Sequence, residues 1–283
     1  MPDYAWMPYQ PGPDDDPPMP YGLYIALGKQ MGPEHIARVG ALLRPSLELR
    51  PDVVESATEE IVEGVTEEIA EGVPGWTPVG RTGGPAALPP GIDWPQGDGH
   101  PMELLAQLDC ARLAEAFRAG GGGRWPLPDE GLLLFFHDSM PADLDGESCL
   151  VLHLPPGSSE RPAPPDPDGI GPLPGRPVRA RWALSAPSYL EDELRELFAG
   201  DYLVAMGVSD ACREHLGGAD IRLLGWCDSD STTRPNGHRP LLQVEASAVA
   251  ASWGELVNVS VWITEEDLAA GRFDRVRHGL EVA

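Results

Sequence analysis

The sequence predicts an α+β fold with short helices, built from two similar halves. Strand-sized apolar runs (LLLFF at 132–136, CLVLHL at 149–154, LVNVSVWI at 256–263) alternate with short segments whose apolar residues recur at helical spacing. Gly (33) and Pro (32) are together about twice as frequent as usual, so loops are long and elements short. A motif also returns. Pro101 and then LLAQLD at 104–109 is matched by Pro240 and then LLQVE at 241–245. A loop holding Gly and Trp precedes each copy, and an Ala-rich segment and a strand follow it.

The elements follow in order. Residues 1–33 are Pro- and Asp-rich, with Asp14, Asp15 and Asp16 in a row, and are expected to form a disordered tail. A helical and acidic segment spans 34–80. Within it, Glu34–Leu43 carries Ile36, Val39, Leu42 and Leu43 at helical spacing, and RPSLELR at 44–50 alternates like a strand. At 58–73 an eight-residue repeat, TEEIVEGV then TEEIAEGV, predicts an acidic helix with one apolar stripe, weakened by Gly64 and Gly72.

From 81 onward a domain is expected, with halves at about 81–155 and 178–283 joined by a Pro/Gly linker at 156–177. The loop 81–95 is too rich in Pro and Gly for regular structure, and Leu88, Ile92 and Trp94 predict that it packs onto a sheet. MELLAQL at 102–108 reads as a strand, and Asp109 caps a helix bearing Leu113, Ala114 and Phe117. GLLLFF at 131–136 and CLVLHL at 149–154 are further strands, as is the stretch 178–184. Ser188 with Glu191 predicts a capping box opening a helix, residues 209–216 predict a short second one, and Thr264 with Asp267 caps a last helical turn.

Charge and cysteines bound the function. Asp and Glu number 45 against 20 Lys and Arg, a formal net charge of −25. Phosphate backbones and anionic membranes demand clustered bases, so the expectation is no nucleic acid and no membrane. The charge suits either a solvated surface or the complement of a basic protein partner. No apolar run approaches the ~20 residues of a spanning helix, and the N-terminal stretch lacks the basic start and apolar core of a secretory signal. Cys110, Cys149, Cys212 and Cys227 are widely spaced, so they are expected to be free and the protein cytoplasmic.

No nucleophile with its base stands out. No Gly-x-Ser-x-Gly elbow occurs, and His137, Asp138 and Ser139 are adjacent just after a strand, where neighbours in an extended chain face opposite ways. Cys212 and His215 share a helix face, but nothing in the sequence makes further ligands such as Cys227 and Asp228 converge on them, and Asp143, Asp145 and Glu147 miss the calcium-loop spacing. The expectation is no catalytic residue, no metal and no cofactor. Binding residues are sought instead at Gln107 and Gln243, polar groups at corresponding places in two apolar runs, and at Trp94 and Trp253. These four either tie loops and core together or line a cleft between the halves.

The segments GGPAALPPGIDWP, PMELLAQLD and LPDEGLLLFFHD, then HLGGADIRLLGW, PLLQVE, SWGELVNVSVWI and EEDLAAGRFDRV, resemble the YwqG-like family, a bacterial domain of unknown function. The resemblance spans about 81–283. It implies a mixed fold dominated by antiparallel strands and brings no activity. Three places depart from the family pattern: Arg239 and Pro240 stand for a Gly-Asp pair, Glu255 follows Trp253 and Gly254 in place of Asp, and Cys227-Asp228-Ser229-Asp230 follows Trp226.

The function expected is therefore non-enzymatic protein binding, in its most specific form an immunity-type inhibitor of a basic partner. The alternatives are a hydrolase or metal-dependent enzyme drawing on His137, Asp138 and His215, and a small-ligand or peptide binder. The oligomeric state is open.

Overall fold

A computed structural model describes residues 19–52, 75–121, 123–138, 148–165, 172–229 and 231–282. The acidic repeat at 58–73, Asp14–Asp16, Ser139, and the acids Asp143, Asp145 and Glu147 lie outside the described residues.

Two helices open the described chain, α1 (Tyr21–Gly28) and α2 (Pro33–Leu42), followed by strand β1 (Arg44–Pro51). The strands β2 (Thr77–Thr82), β3 (Ala86–Ala87) and β4 (Glu103–Asp109) lead into helix α3 (Cys110–Ala119). Then come β5 (Leu132–His137), β6 (Cys149–Leu154), β7 (Glu160–Arg161) and β8 (Arg176–Ser185). Helices α4 (Asp192–Leu197) and α5 (Tyr202–Leu216) precede β9 (Ile221–Leu223) and β10 (His238–Glu245). The chain ends with β11 (Leu256–Thr264), helix α6 (Glu265–Ala269), and β12 (Arg277–Val282).

Ten of these strands form one antiparallel sheet in the order β12-β11-β10-β9-β1-β8-β2-β4-β5-β6; β3 and β7 pair separately. The central pair is β1–β8, where Arg44 faces Ser185 and Pro51 faces Val178. On either side of it a four-strand meander runs outward. The β4–β5 ladder slips between Leu104 and Ala106, and the β10–β11 ladder slips between Pro240 and Leu242. Each slip is a bulge that turns the strand locally and adds twist.

The sheet curls around one apolar core. Leu133, Phe135 and Val151 from one meander share it with Val244, Val259 and Val261 from the other, together with Leu47 and Leu49 of the central β1. Outside the curl, α1, α2, α4 and α5 pack on each other through Leu23, Leu27, Ile36, Val208 and their neighbours. Trp226 pins this layer to the sheet: its indole N–H donates to Leu42 O at 2.7 Å, and the Arg44 guanidinium lies 3.5 Å over its ring.

Local signals behave as their chemistry dictates. Asp109 Oδ1 accepts from Arg112 N at 3.0 Å to start α3, and Thr264 Oγ1 accepts from Asp267 N at 3.0 Å to start α6. Leu88 and Trp94 fold back onto Leu104, Leu134 and Phe136.

Three expectations need correction. Residues 19–33 are not tail: α1 buries Leu23, Tyr24 and Leu27 against α5, an apolar content that offsets its chain entropy. The described parts of the stretch 34–80 are not a separate segment, because β1 and β2 both sit inside the sheet. Ser188 does not open a helix. Among the described residues its Oγ accepts from Leu190 N alone, α4 starts at Asp192, and the Glu191 carboxylate is taken by Arg234 at 2.9 Å, so no capping box closes.

Candidate functional site

The curl brings the two ends of the sheet together. Ser148, at the mouth of β6, and His278, on β12, share a hydrogen bond of 2.7 Å between Oγ and Nε2. Beside it, the His153 and Phe273 rings meet edge to face at 5.8 Å. A cleft of about 730 Å³ opens at this seam, with Cys149 and Leu150 on one wall and Arg275, Arg277 and His278 on the other.

Behind the seam lies a buried polar chain. Trp253 donates its indole N–H to Glu103 Oε2 at 2.6 Å, and its ring stands edge-on to His137 at 5.1 Å. His137 Nδ1 donates to Ser148 O at 3.1 Å, and Asp138 N donates to the same carbonyl at 2.7 Å. His137 is 0 % exposed, and its Nε2 has no partner among the described residues. Burial pushes its pKa down to about 4, the Ser148 carbonyl opposes the shift, and His278 adds to it. His137 is thus a neutral imidazole at pH 7.

This chemistry tells against nucleophilic catalysis at the seam. Ser148 and His278 have the spacing of a nucleophile and its base. Ser148 is only 1 % exposed, however, and its backbone carbonyl is anchored twice, so the pair works as a clasp between sheet ends. Burial also pushes the Cys149 thiol up to about 12, which keeps it protonated. His215 stays on α5, its Nδ1 bonded to Ala211 O at 2.9 Å.

A second cleft, of about 660 Å³, lies over β10 and β11 and is strongly acidic. Asp228, Glu245 and Glu281 line it beside Trp253, Val257 and Asn258. Burial raises the Glu245 pKa, and the charges of Asp220, Asp228 and Glu281 raise it further. Asn258 Nδ2 donates to Glu281 Oε2 at 3.3 Å, while its Oδ1 is buried without a partner among the described residues. Asn258 as a whole is 4 % exposed. Of the three carboxylates, Asp228 is already held by Arg222 at 2.6 Å.

The four residues singled out from sequence take different places. Gln107 Oε1 accepts from Ala87 N at 2.7 Å, and Gln243 Oε1 accepts from Asp228 N at 2.6 Å, so both tie a loop to the sheet. Trp94 packs edge-on against Phe136 at 5.6 Å and donates to Met102 O at 2.8 Å. Trp253 alone of the four lines one of the two clefts. His278, Asn258 and Glu281 were not anticipated. They sit in short alternating strands, where nothing in residue type or spacing separates a cleft wall from an ordinary strand face.

Among the described residues, no helix is long and apolar enough to cross a membrane. No curated protein matches the chain. A family model does match, over residues 80–281, and it covers both meanders, the seam and the acidic cleft. The chain belongs to that family, described as Domain of unknown function (DUF1963).

Proposed function

We propose that the protein is a non-enzymatic protein-binding module that takes a basic partner, in the cytoplasm, through the acidic cleft over β10 and β11. One observation carries this reading. Glu245 sits among Asp220, Asp228 and Glu281, and burial first, then their combined charge, raises its pKa. A Lys or Arg side chain inserted there would relieve that repulsion and give the buried Asn258 Oδ1 a donor. The apolar rim of Leu256 and Val257 supplies area for the stem of such a side chain. The overall charge of −25 steers a basic partner toward the molecule. An inhibitor that occludes a basic toxin is the specific form this reading takes.

We also read the two meanders as copies of one unit, in keeping with the YwqG-like pattern. Matching bulges at Leu104/Ala106 and Pro240/Leu242, and matching glutamine ties at Gln107 and Gln243, support that reading. The second copy differs by exposing carboxylates where the first is covered by Trp94 and Leu88.

The test is titration of the full chain with an arginine-rich peptide and an uncharged peptide of equal length, at low and high salt. Saturable binding of the basic peptide, lost at high salt and weakened about tenfold in the Glu245→Gln/Glu281→Gln variant, is expected. Equal binding by that variant would overturn the assignment to this cleft.

A further inference from the structure

We propose that the seam cleft, separate from the acidic one, is a binding site for a small organic anion: a carboxylate or phosphate head on an apolar body. The chain carries more than two acids for every base, yet Arg275, Arg277, His238 and His278 converge on this one cleft. Arg277 has no carboxylate partner among the described residues, and Arg275 comes no closer than 3.9 Å to Asp267.

The carboxylates on the cleft do not cancel these bases. Asp267 is committed to Arg272 at 2.6 Å and to the Thr264 hydroxyl at 2.7 Å. Among the described lining residues Asp274 remains, one acid against two arginines. His238 Nδ1 is occupied by Asn236 O at 3.0 Å, which leaves its Nε2 as the other polar atom of that ring. His278 is fixed by the Ser148 hydroxyl. Planar guanidinium groups suit carboxylate and phosphate oxygens, which they bind in pairs.

The remaining wall is mixed, with Gln96 among prolines and apolar side chains. Met102, Leu150 and Val276 line the same cleft. Its volume of about 730 Å³ falls within the range of small-molecule sites, roughly 300–1,000 Å³. The convergent bases would orient the head, and the apolar side chains beside them would hold the body. The head would lie on Arg275 and Arg277 and the body on Met102, Leu150 and Val276.

Calorimetric titration of the full chain with phenyl phosphate, benzoate and inorganic phosphate tests the proposal. Expected is one-to-one binding of phenyl phosphate or benzoate, at least about tenfold tighter than inorganic phosphate. The Arg275→Ala/Arg277→Ala variant should lose at least about tenfold in affinity, while Arg124→Ala, an exposed base outside the cleft, should not. Both cleft arginines are solvent-facing, and an unchanged thermal melt of the double variant would confirm that it folds. If phenyl phosphate binds and benzoate does not, the head is a phosphate; the reverse marks a carboxylate. No saturable binding by any organic probe, affinity indifferent to the two arginines, or inorganic phosphate bound as tightly as the organic probes would overturn it. None of these outcomes bears on the acidic cleft, whose probe is a basic peptide.

Discussion

Gln107 and Gln243 make the same hydrogen bond in opposite meanders of the sheet. Each faces an arginine across the ladder, Arg81 or Arg222. Each accepts from a backbone N–H six residues beyond that arginine, at Ala87 or Asp228. The two are not energetically equal. Gln243 Nε2 is buried without a partner among the described residues, whereas no such orphan is found on Gln107. Replacing Gln107 by Leu strands the Ala87 N–H and is expected to cost about 1–3 kcal/mol. At Gln243 the same change also removes an unsatisfied donor, so it should cost less. Urea unfolding of Gln107→Leu and Gln243→Leu measures both, and a larger loss at Gln243 would contradict this account.

A buried ion pair sets a second expectation. Arg222 is 3 % exposed, with one nitrogen 2.6 Å from Asp228 Oδ2 and another bonded to Ser46 Oγ at 3.2 Å. Asp228→Ala leaves that guanidinium buried without its counter-charge, a change that costs about 3–5 kcal/mol. Asp220→Ala removes a nearby acid that holds no such partner among the described residues and should cost far less. Thermal unfolding of the two variants separates them, and equal melting points would show that the pair contributes nothing.

The same particulars show what was legible in the sequence. The strands at 132–137 and 149–154 and the Asp109 and Thr264 caps could be read because their signals are local: alternation and a side-chain acceptor. The order of the sheet could not. β1 lies between β9 and β8, although β9 starts far along the chain at Ile221 and spans three residues, too few to carry a pattern. The sites were hidden for the same reason. Ser148 meets His278, and Glu103 meets Trp253, only because the curled sheet joins its ends. Arg234 likewise reaches Glu191 across the fold and annuls a capping box that local sequence had spelled out.

Binding at the acidic cleft should depend on pH. Glu245 titrates above the ordinary glutamate range, through burial and then through Asp220, Asp228 and Glu281. A basic partner favours the charged carboxylate and drives the proton off. Binding should therefore release protons and weaken as pH falls through the raised Glu245 pKa. Calorimetry of an arginine-rich peptide in buffers of different ionisation enthalpy measures that release. Glu281→Gln lowers the repulsion and should shift the loss of binding to lower pH. A release unaffected by Glu281→Gln would place the titrating group elsewhere.

Stability itself should report His137. The folded chain keeps this imidazole neutral down to about pH 4, against 6.5 for an unperturbed histidine, because it is wholly buried behind Trp253 and Ser148. Between those values the unfolded chain binds a proton that the folded chain refuses. Stability from this group is then complete above pH 6.5 and falls as pH drops toward 4. At pH 5 the loss amounts to about 2 kcal/mol. His137→Phe gives up the bond to the Ser148 carbonyl at every pH, a cost of about 1–3 kcal/mol, but has nothing to titrate. The stability gap between the native chain and this variant should thus narrow on acidification from pH 7 to pH 5, by about the amount the histidine loses. Urea unfolding at a series of pH values follows the gap directly. A constant gap would mean that His137 accepts its proton in the folded state as readily as in the unfolded one, and that the polar chain behind the seam opens to water.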